Sequence, residues 1–176
     1  MIVLIGGGVR SGKSRFALER AQGLGRRRAF VATATASDAE MAARIAAHLA
    51  ERGDAFRTVE APLALCETLR ELAGVDVAVI DCLTLWLANL LLAERSDDAI
   101  CAEVESLATT LQAAPFHAVL VTNEVGMGVV PESALGRRFR DVAGNAHQRL
   151  AKIADEIYFG VLGLRLQLHP GPVRAL

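Results

Sequence analysis

The hydrophobic positions of this chain come in short unbroken runs separated by longer stretches of mixed character. Five runs read as strands: Ile2–Gly6, Ala29–Thr33, Val77–Cys82, Ala118–Thr122 and Ile157–Leu162. Their apolar residues are not interleaved with polar ones, the pattern of strands covered on both faces. Between them lie stretches that read as helices: Lys13–Leu24, Asp38–Arg52, Leu63–Ala73, Thr84–Glu94, Asp97–Ala113 and Ala134–Ala154. Strands and helices in alternation predict an α/β fold with a mainly parallel sheet and helices on both faces. The tail Gly163-Leu-Arg-Leu-Gln-Leu-His169 does alternate. It predicts a last strand that turns back at Gly163 and lies antiparallel at the sheet edge. No repeat, low-complexity tract or linker divides residues 1–176, so one domain is expected.

Composition removes several function classes. At 52% hydrophobic and 22% charged, the 176 residues do not have the make-up of a disordered chain. Nineteen basic residues stand against twenty acidic ones, a net charge of −1, so there is no bulk positive field to recruit nucleic acid or an anionic membrane. One Trp, one Tyr and six Phe offer little for stacking bases, which argues against a nucleic-acid motor. The basic run Arg26-Arg27-Arg28 reads as a solvated turn before the second strand. The longest apolar helix, Cys82 to Ala93, is too short to span a membrane, and no basic leader precedes Ile2. Cys66, Cys82 and Cys101 have no metal-type spacing and read as reduced thiols. A cytoplasmic protein with no nucleic-acid partner and no stable membrane insertion is expected.

The first strand runs directly into Gly7-Gly8-Val9-Arg10-Ser11-Gly12-Lys13-Ser14, which fits G-x-x-x-x-G-K-[ST] without a mismatch. Glycines let the backbone turn tightly and aim successive N–H groups into one anion-sized hollow. The helix that starts near Lys13 adds the positive end of its dipole. Lys13 is placed for the terminal phosphates, and the Ser14 hydroxyl suits a Mg²⁺ ion. Lys13 is also one of only two lysines among the nineteen basic residues, so a compact ammonium at this position stands out in a chain that otherwise uses Arg. The pattern predicts binding of a nucleoside triphosphate. Val77-Ala-Val-Ile-Asp81 puts an acid at the end of a neighbouring strand, on the edge where open α/β sheets bind ligands. Asp81 reads as a metal or metal-water ligand, or else as the N-cap of the following helix.

Past the second strand, Thr33-Ala34-Thr35 reaches the same edge, and Ser37-Asp-Ala-Glu40 reads as a capping box. On the helix this box opens, Arg44, His48 and Arg52 fall at i, i+4 and i+8, nearly on one line, beside the apolar stripe Met41, Ile45 and Leu49. Two guanidinium groups would neutralise phosphate oxygens and keep an imidazole nitrogen free, which suits a nucleophile for phosphorus. A solvated histidine on a polar face is the alternative. His117 opens a strand, His147 lies on a late helix and His169 sits in the tail; by pattern none has comparable company.

These segments occur in an order that resembles a known family. After the phosphate loop come Ala32-Thr-Ala-Thr35, Asp38-x-Glu-Met-x-x-Arg-Ile-x-x-His48, Arg57-Thr-x-Glu60 and Asp81-Cys-Leu-Thr-Leu-Trp-Leu-x-Asn89. Then follow Val121-Thr-Asn-Glu-Val-Gly-Met-Gly-Val-Val-Pro131 and Arg138-Phe-Arg-Asp-x-Ala-Gly144. Together, over roughly residues 2–165, they resemble the bifunctional adenosylcobinamide kinase/adenosylcobinamide-phosphate guanylyltransferase of cobalamin biosynthesis. The resemblance implies a RecA-like P-loop fold and a homotrimer with sites near subunit boundaries. It implies phosphorylation of adenosylcobinamide by a nucleoside triphosphate (ATP or GTP), then transfer of GMP from GTP through a guanylyl-histidine, with His48 at the matching position. Nucleotide contacts would fall on Gly7–Ser14, Thr33, Ala34, Thr35, Leu49, Ala50, Glu51, Arg52, Glu60 and Asp81, with Mg²⁺ held by Ser14 and Asp81. Asp81 and Glu124 are both candidates for the base of the kinase step, and Glu124 also reads as a simple cap of the turn at Gly126. Phe56 stands where many members have Trp, which implies altered stacking near the nucleotide. A P-loop kinase of another small alcohol, and a regulatory nucleotide-binding module, are the alternative functions.

Overall fold

The computed structural model describes residues 1–35, 39, 42–43, 46, 49 and 53–175. Among them are eight strands: β1 (Ile2–Gly7), β2 (Arg28–Ala32), β3 (Arg57–Glu60), β4 (Val77–Asp81), β5 (His117–Val121), β6 (Glu156–Val161), β7 (Leu164–His169) and β8 (Arg174–Ala175). The helices are α1 (Lys13–Gln22), α2 (Leu65–Glu71), α3 (Leu83–Leu92), α4 (Asp97–Ala113) and α5 (Ala134–Ala151), with a short 3₁₀ turn at Gly53–Ala55. Of the predicted Asp38–Arg52 helix, Ala39, Ala42, Ala43, Ala46 and Leu49 are described; they are helical and exposed. Arg44, His48, Arg52 and the capping-box residues Ser37 and Glu40 lie outside the described residues.

All eight strands join one sheet in the order β3-β2-β4-β5-β1-β6-β7-β8. The first six run parallel, and β7 and β8 turn back antiparallel. Each parallel strand sends alternate side chains to opposite faces, as the pleat requires. In β1, Ile2 and Leu4 join a core cluster with residues of α2, α3, α4 and α5, while Val3 and Ile5 face Ala17 and Ala21 of α1. β4 and β5 repeat this division, with Ala78, Ile80, Ala118 and Leu120 on one side and Val77, Val79, Val119 and Val121 on the other. Burial on both faces explains why these strands read as continuous apolar runs. Fully burying each Val, Leu or Ile contributes about 1.5–3 kcal/mol before chain entropy is counted.

Two strands escape the sequence pattern. β3 is the outermost strand and mostly exposed, so only Val59 is packed and no apolar run marks it. β8 has two residues and follows Pro170 and Pro172. The predicted C-terminal strand is present as β7, but β8 covers its outer side, so β7 is not the edge. This topology brings the ends of β1, β2, β3, β4 and β5 to one rim, with the phosphate loop in their midst.

Candidate active site

The loop from Gly7 to Gly12 joins β1 to α1, and two glycines make it possible. Gly12 sits at the N-cap of α1 with φ 83°, a left-handed conformation that costs a side-chain-bearing residue free energy. Gly7 is needed for space: a Cβ there would lie 2.7 Å from the Gly160 carbonyl oxygen on β6 and 2.7 Å from Ser11 Oγ. Gly12 supplies no side-chain cap, and the first turn of α1 has no acidic residue, so its amides are left facing the hollow of the loop. Ser11 Oγ is buried with no hydrogen-bond partner among the described residues. Lys13 folds over the hollow and donates from Nζ to the Gly8 carbonyl at 3.0 Å. Burial lowers the pKa of Lys13, and the nearby Asp81 and then Cys82 pull it back up. A site built of loop amides and an ammonium, with no acid in the helix's first turn, is suited to an anion.

Asp81 ends β4, two strands from β1, on the rim beside Lys13. It is not the cap of the next helix, because Cys82 occupies the N-cap of α3. The Asp81–Cys82 peptide is cis. Thr33 secures this corner: it is fully buried, its Oγ1 donates to the Cys82 carbonyl at 2.7 Å, and the Cys82 N–H donates back to Oγ1 at 2.8 Å. Its own N–H donates to the Asp81 carbonyl at 3.2 Å. Asn89 on α3 donates to the Thr33 carbonyl (2.8 Å) and the Pro62 carbonyl (2.9 Å), tying together the ends of β2 and β3. The sequence reading did not single out Asn89, although its motif ends on it.

The predicted residues do not all gather at one point. Gly7–Ser14, Thr33–Thr35 and Asp81 share the central rim, whereas Glu60 ends the outermost strand. Four strand spacings separate β3 from β1, or about 19 Å at about 4.8 Å each. Ala50, Glu51, Arg52 and His48 lie outside the described residues, and the described Leu49 is half exposed. Phe56 is buried in the same apolar cluster as Phe30 and Val79, with the Arg28 guanidinium 5.9 Å from its ring centre. Arg27 is held by Asp76, whose carboxylate also accepts from the backbone N–H groups of Arg26 and Arg27, in keeping with a solvated turn.

One group was missed altogether. His147, on α5, has its Nε2 2.6 Å from Thr122 Oγ1 and its Nδ1 3.9 Å from a Glu124 carboxylate oxygen. Burial lowers the His147 pKa, and Glu124 partly raises it again. Glu124 stands against the phosphate loop, its N–H donating to the Gly7 carbonyl at 3.1 Å. One carboxylate oxygen does cap the turn, accepting from Gly126 N–H at 2.6 Å, and the other faces His147. Residues 25 positions apart meet here only because the fold brings α5 beside the end of β5, so no local pattern could have found them. The same residues line a cavity of about 250 Å³ whose other walls include Gly6, Tyr158 and Phe159.

Comparison with known proteins shows the family and the fold. Residues 3–168 match the family model described as cobinamide kinase / cobinamide phosphate guanyltransferase. The chain is similar to the bifunctional adenosylcobalamin biosynthesis protein CobP of Pseudomonas aeruginosa, 45% identical over 171 residues and covering 97% of this chain and 98% of that one. It is also similar to the bifunctional adenosylcobalamin biosynthesis protein CobU of Escherichia coli, at 40% identity over 96% of this chain and 99% of the other. Solved structures share the fold at low identity. The RadB recombinase superposes with a TM-score of 0.54 at 16% identity, over 94% of this chain and 78% of its own. A type III secretion system ATPase gives 0.53 at 11%, over 90% of this chain and 50% of its own. The fold is that of a RecA-like P-loop ATPase.

Proposed function

We infer the reaction from the premise that this chain belongs to the cobinamide kinase / cobinamide phosphate guanyltransferase family. It is a bifunctional enzyme of cobalamin biosynthesis. It phosphorylates the aminopropanol hydroxyl of adenosylcobinamide with ATP or GTP, then transfers GMP from a second nucleotide, GTP, to that phosphate, giving adenosylcobinamide-GDP and pyrophosphate. The observation that carries this reading is the conjunction of the family match over residues 3–168 with an open anion cradle at the sheet rim.

In the kinase step the substrate oxygen attacks the γ-phosphorus, the bond to the β–γ bridging oxygen breaks, and the nucleoside diphosphate leaves. Loop amides and Lys13 hold the oxygens on which charge accumulates. In the transfer, a neutral nitrogen of His48 attacks the α-phosphorus of GTP and expels pyrophosphate. The corrinoid phosphate then displaces the histidine, so one difficult transfer becomes two. Arg44 and Arg52, four residues either side of His48 in sequence, neutralise the α-phosphate. Ser14 and Asp81 suit Mg²⁺, which keeps several waters and takes one or two protein oxygens plus phosphates. The ion, when bound, offsets phosphate charge and helps the leaving group depart. With phosphates on the β1 loop, Glu60, about 19 Å away, falls at the base end of a nucleotide lying along the rim. The enzyme works as a cytoplasmic homotrimer, which light scattering of the purified chain tests directly.

The test is to incubate the protein with adenosylcobinamide, Mg²⁺ and either ATP or GTP, and to weigh the corrinoid products by mass spectrometry. ATP alone yields the corrinoid phosphate, and GTP carries it on to the GDP derivative. Lys13→Ala abolishes both products. A corrinoid that gains no mass with either nucleotide contradicts the reading.

A further inference from the structure

The phosphate loop has two acids near it, and the structure separates them. Asp81 lies on the side of Lys13, whose charge it stabilises. Glu124 follows the end of β5, with the loop's first carbonyl bonded to its backbone, and it lines a cavity of about 250 Å³. That cavity is walled largely by apolar groups, among them Leu4, Tyr158, Phe159 and Leu168, and it reaches Gly6, the residue before the loop. Glu124 is the acid that lines it, and His147 and Thr122 line it too.

The geometry points to Glu124 as the catalytic base of the kinase step and to His147 as the residue that positions it, with the alcohol arm of the acceptor entering through this cavity. The inference rests on the bifunctional kinase reading above. Asp81 is thereby assigned to the metal side and Glu124 to the acceptor side, which divides the two roles the sequence left open. The tautomer follows from the contacts. Thr122 Oγ1, at 2.6 Å, donates to Nε2, which leaves the proton on Nδ1, and that N–H faces the Glu124 carboxylate at 3.9 Å. The opposite tautomer would set a nitrogen lone pair against a negative charge. Burial lowers the His147 pKa and so favours the neutral imidazole, which packs beside the carboxylate. Gly126 N–H holds the other oxygen at 2.6 Å and fixes the plane of the carboxylate. In the step itself, the acceptor hydroxyl gives its proton to the Glu124 oxygen that faces His147 as its own oxygen bonds to the γ-phosphorus. The β–γ bridging bond breaks, and the electron pair leaves with the nucleoside diphosphate. The Glu124 proton passes to solvent when product departs.

The proposed transfer includes a partial reaction that needs no acceptor, the attachment of GMP to the protein from GTP, and this separates the two roles in the test. Glu124→Gln is expected to lower kcat of cobinamide phosphorylation at least about 100-fold, the low end for loss of a general base. KM for the nucleotide and the rate of covalent labelling by α-labelled GTP stay within about threefold of wild type. Asp81→Asn, by contrast, lowers phosphorylation and labelling together. His147→Ala lowers kcat of phosphorylation about tenfold with KM unchanged, and adds nothing in the Glu124→Gln background, because both changes remove one function. Two results overturn the inference: Glu124→Gln phosphorylating within threefold of wild type, or Glu124→Gln losing labelling and nucleotide affinity in step with kinase activity. If the two single effects multiply in the double variant, His147 is not the positioning residue. Wild type that labels with GTP but never phosphorylates cobinamide contradicts the kinase reading, and the assignment of Glu124 falls with it. Failure of the assignment alone shows as either of the two overturning results in an enzyme whose wild type does phosphorylate.

Discussion

Replacing Gly7 by Ala tests whether the phosphate cradle is set by the close approach of β1 to β6. The new Cβ would lie 2.7 Å from the Gly160 carbonyl oxygen and 3.2 Å from the Gly160 nitrogen, and 2.7 Å from Ser11 Oγ. Ser11 can rotate away, but Gly160 is backbone and pairs with Gly7 in the parallel ladder, so the two strand ends must part. Overpacking of this kind costs about 1–3 kcal/mol, and because Gly7 has φ 155°, which a residue with a Cβ rarely adopts, the lower entropy of the unfolded Ala chain (about 0.4–1 kcal/mol) offsets only part of the sum. A net loss of about 1–2 kcal/mol lowers the melting temperature of a chain this size by roughly 2–8 °C. Gly8→Ala is the matched control, since nothing lies within 4 Å of its Cβ and its φ is not left-handed. That variant should melt at, or slightly above, the wild-type temperature. Thermal denaturation followed by circular dichroism measures both, and titration with GTP should show weaker binding for Gly7→Ala than for wild type. Gly7→Ala melting at or above Gly8→Ala would refute the argument.

Further outcomes follow from other contacts. Trp86 is fully buried, and its indole N–H donates to the Leu63 carbonyl at 3.0 Å, so Trp86→Ala should cost about 3–5 kcal/mol in urea denaturation. Asn89→Ala removes both hydrogen bonds from α3 to the Thr33 and Pro62 carbonyls, just past β2 and β3, which should cost about 1–3 kcal/mol and weaken GTP binding in calorimetric titration. Glu156 accepts from Arg20 at 2.8 and 2.9 Å and from Tyr158 at 3.0 Å; the Arg20 bonds foremost hold its pKa below the ordinary range. That stabilisation is present above the unfolded carboxyl value, near 4.3, and is lost as pH falls through the lower folded value. Denaturation midpoints measured from pH 5 down to pH 3 should therefore fall less steeply for Glu156→Gln than for wild type.

What the sequence disclosed, and what it concealed, follows from the range of the interactions. The parallel strands were legible because burial on both faces leaves an unbroken apolar run, as in Val77–Ile80. The phosphate loop was legible because its chemistry lies in eight consecutive residues, and Asp81 because a lone acid at the end of such a run is conspicuous. β3 was hidden since an outermost strand with three exposed residues of four has no hydrophobic signature. His147 looked like a residue without company because Thr122 and Glu124 reach it across the fold, not along the chain. Phe56 was placed near the nucleotide by resemblance, while its burial under Arg28 depends on packing that no motif records. Of the Glu124 readings, capping of the turn and a role toward substrate proved compatible, because a carboxylate has two oxygens and the structure gives each a different neighbour.

The central claim is that a histidine carries GMP between GTP and the corrinoid phosphate, and covalent labelling tests it most directly. The protein is incubated with Mg²⁺ and GTP labelled at the α-phosphate, quenched in alkali and run on a denaturing gel, with His48→Ala and His169→Ala alongside. The account predicts a label that survives alkali, is released by acid, is present in wild type and His169→Ala, and is absent only from His48→Ala. A wild-type protein that binds GTP yet takes up no label, or a label that persists in His48→Ala, would contradict it.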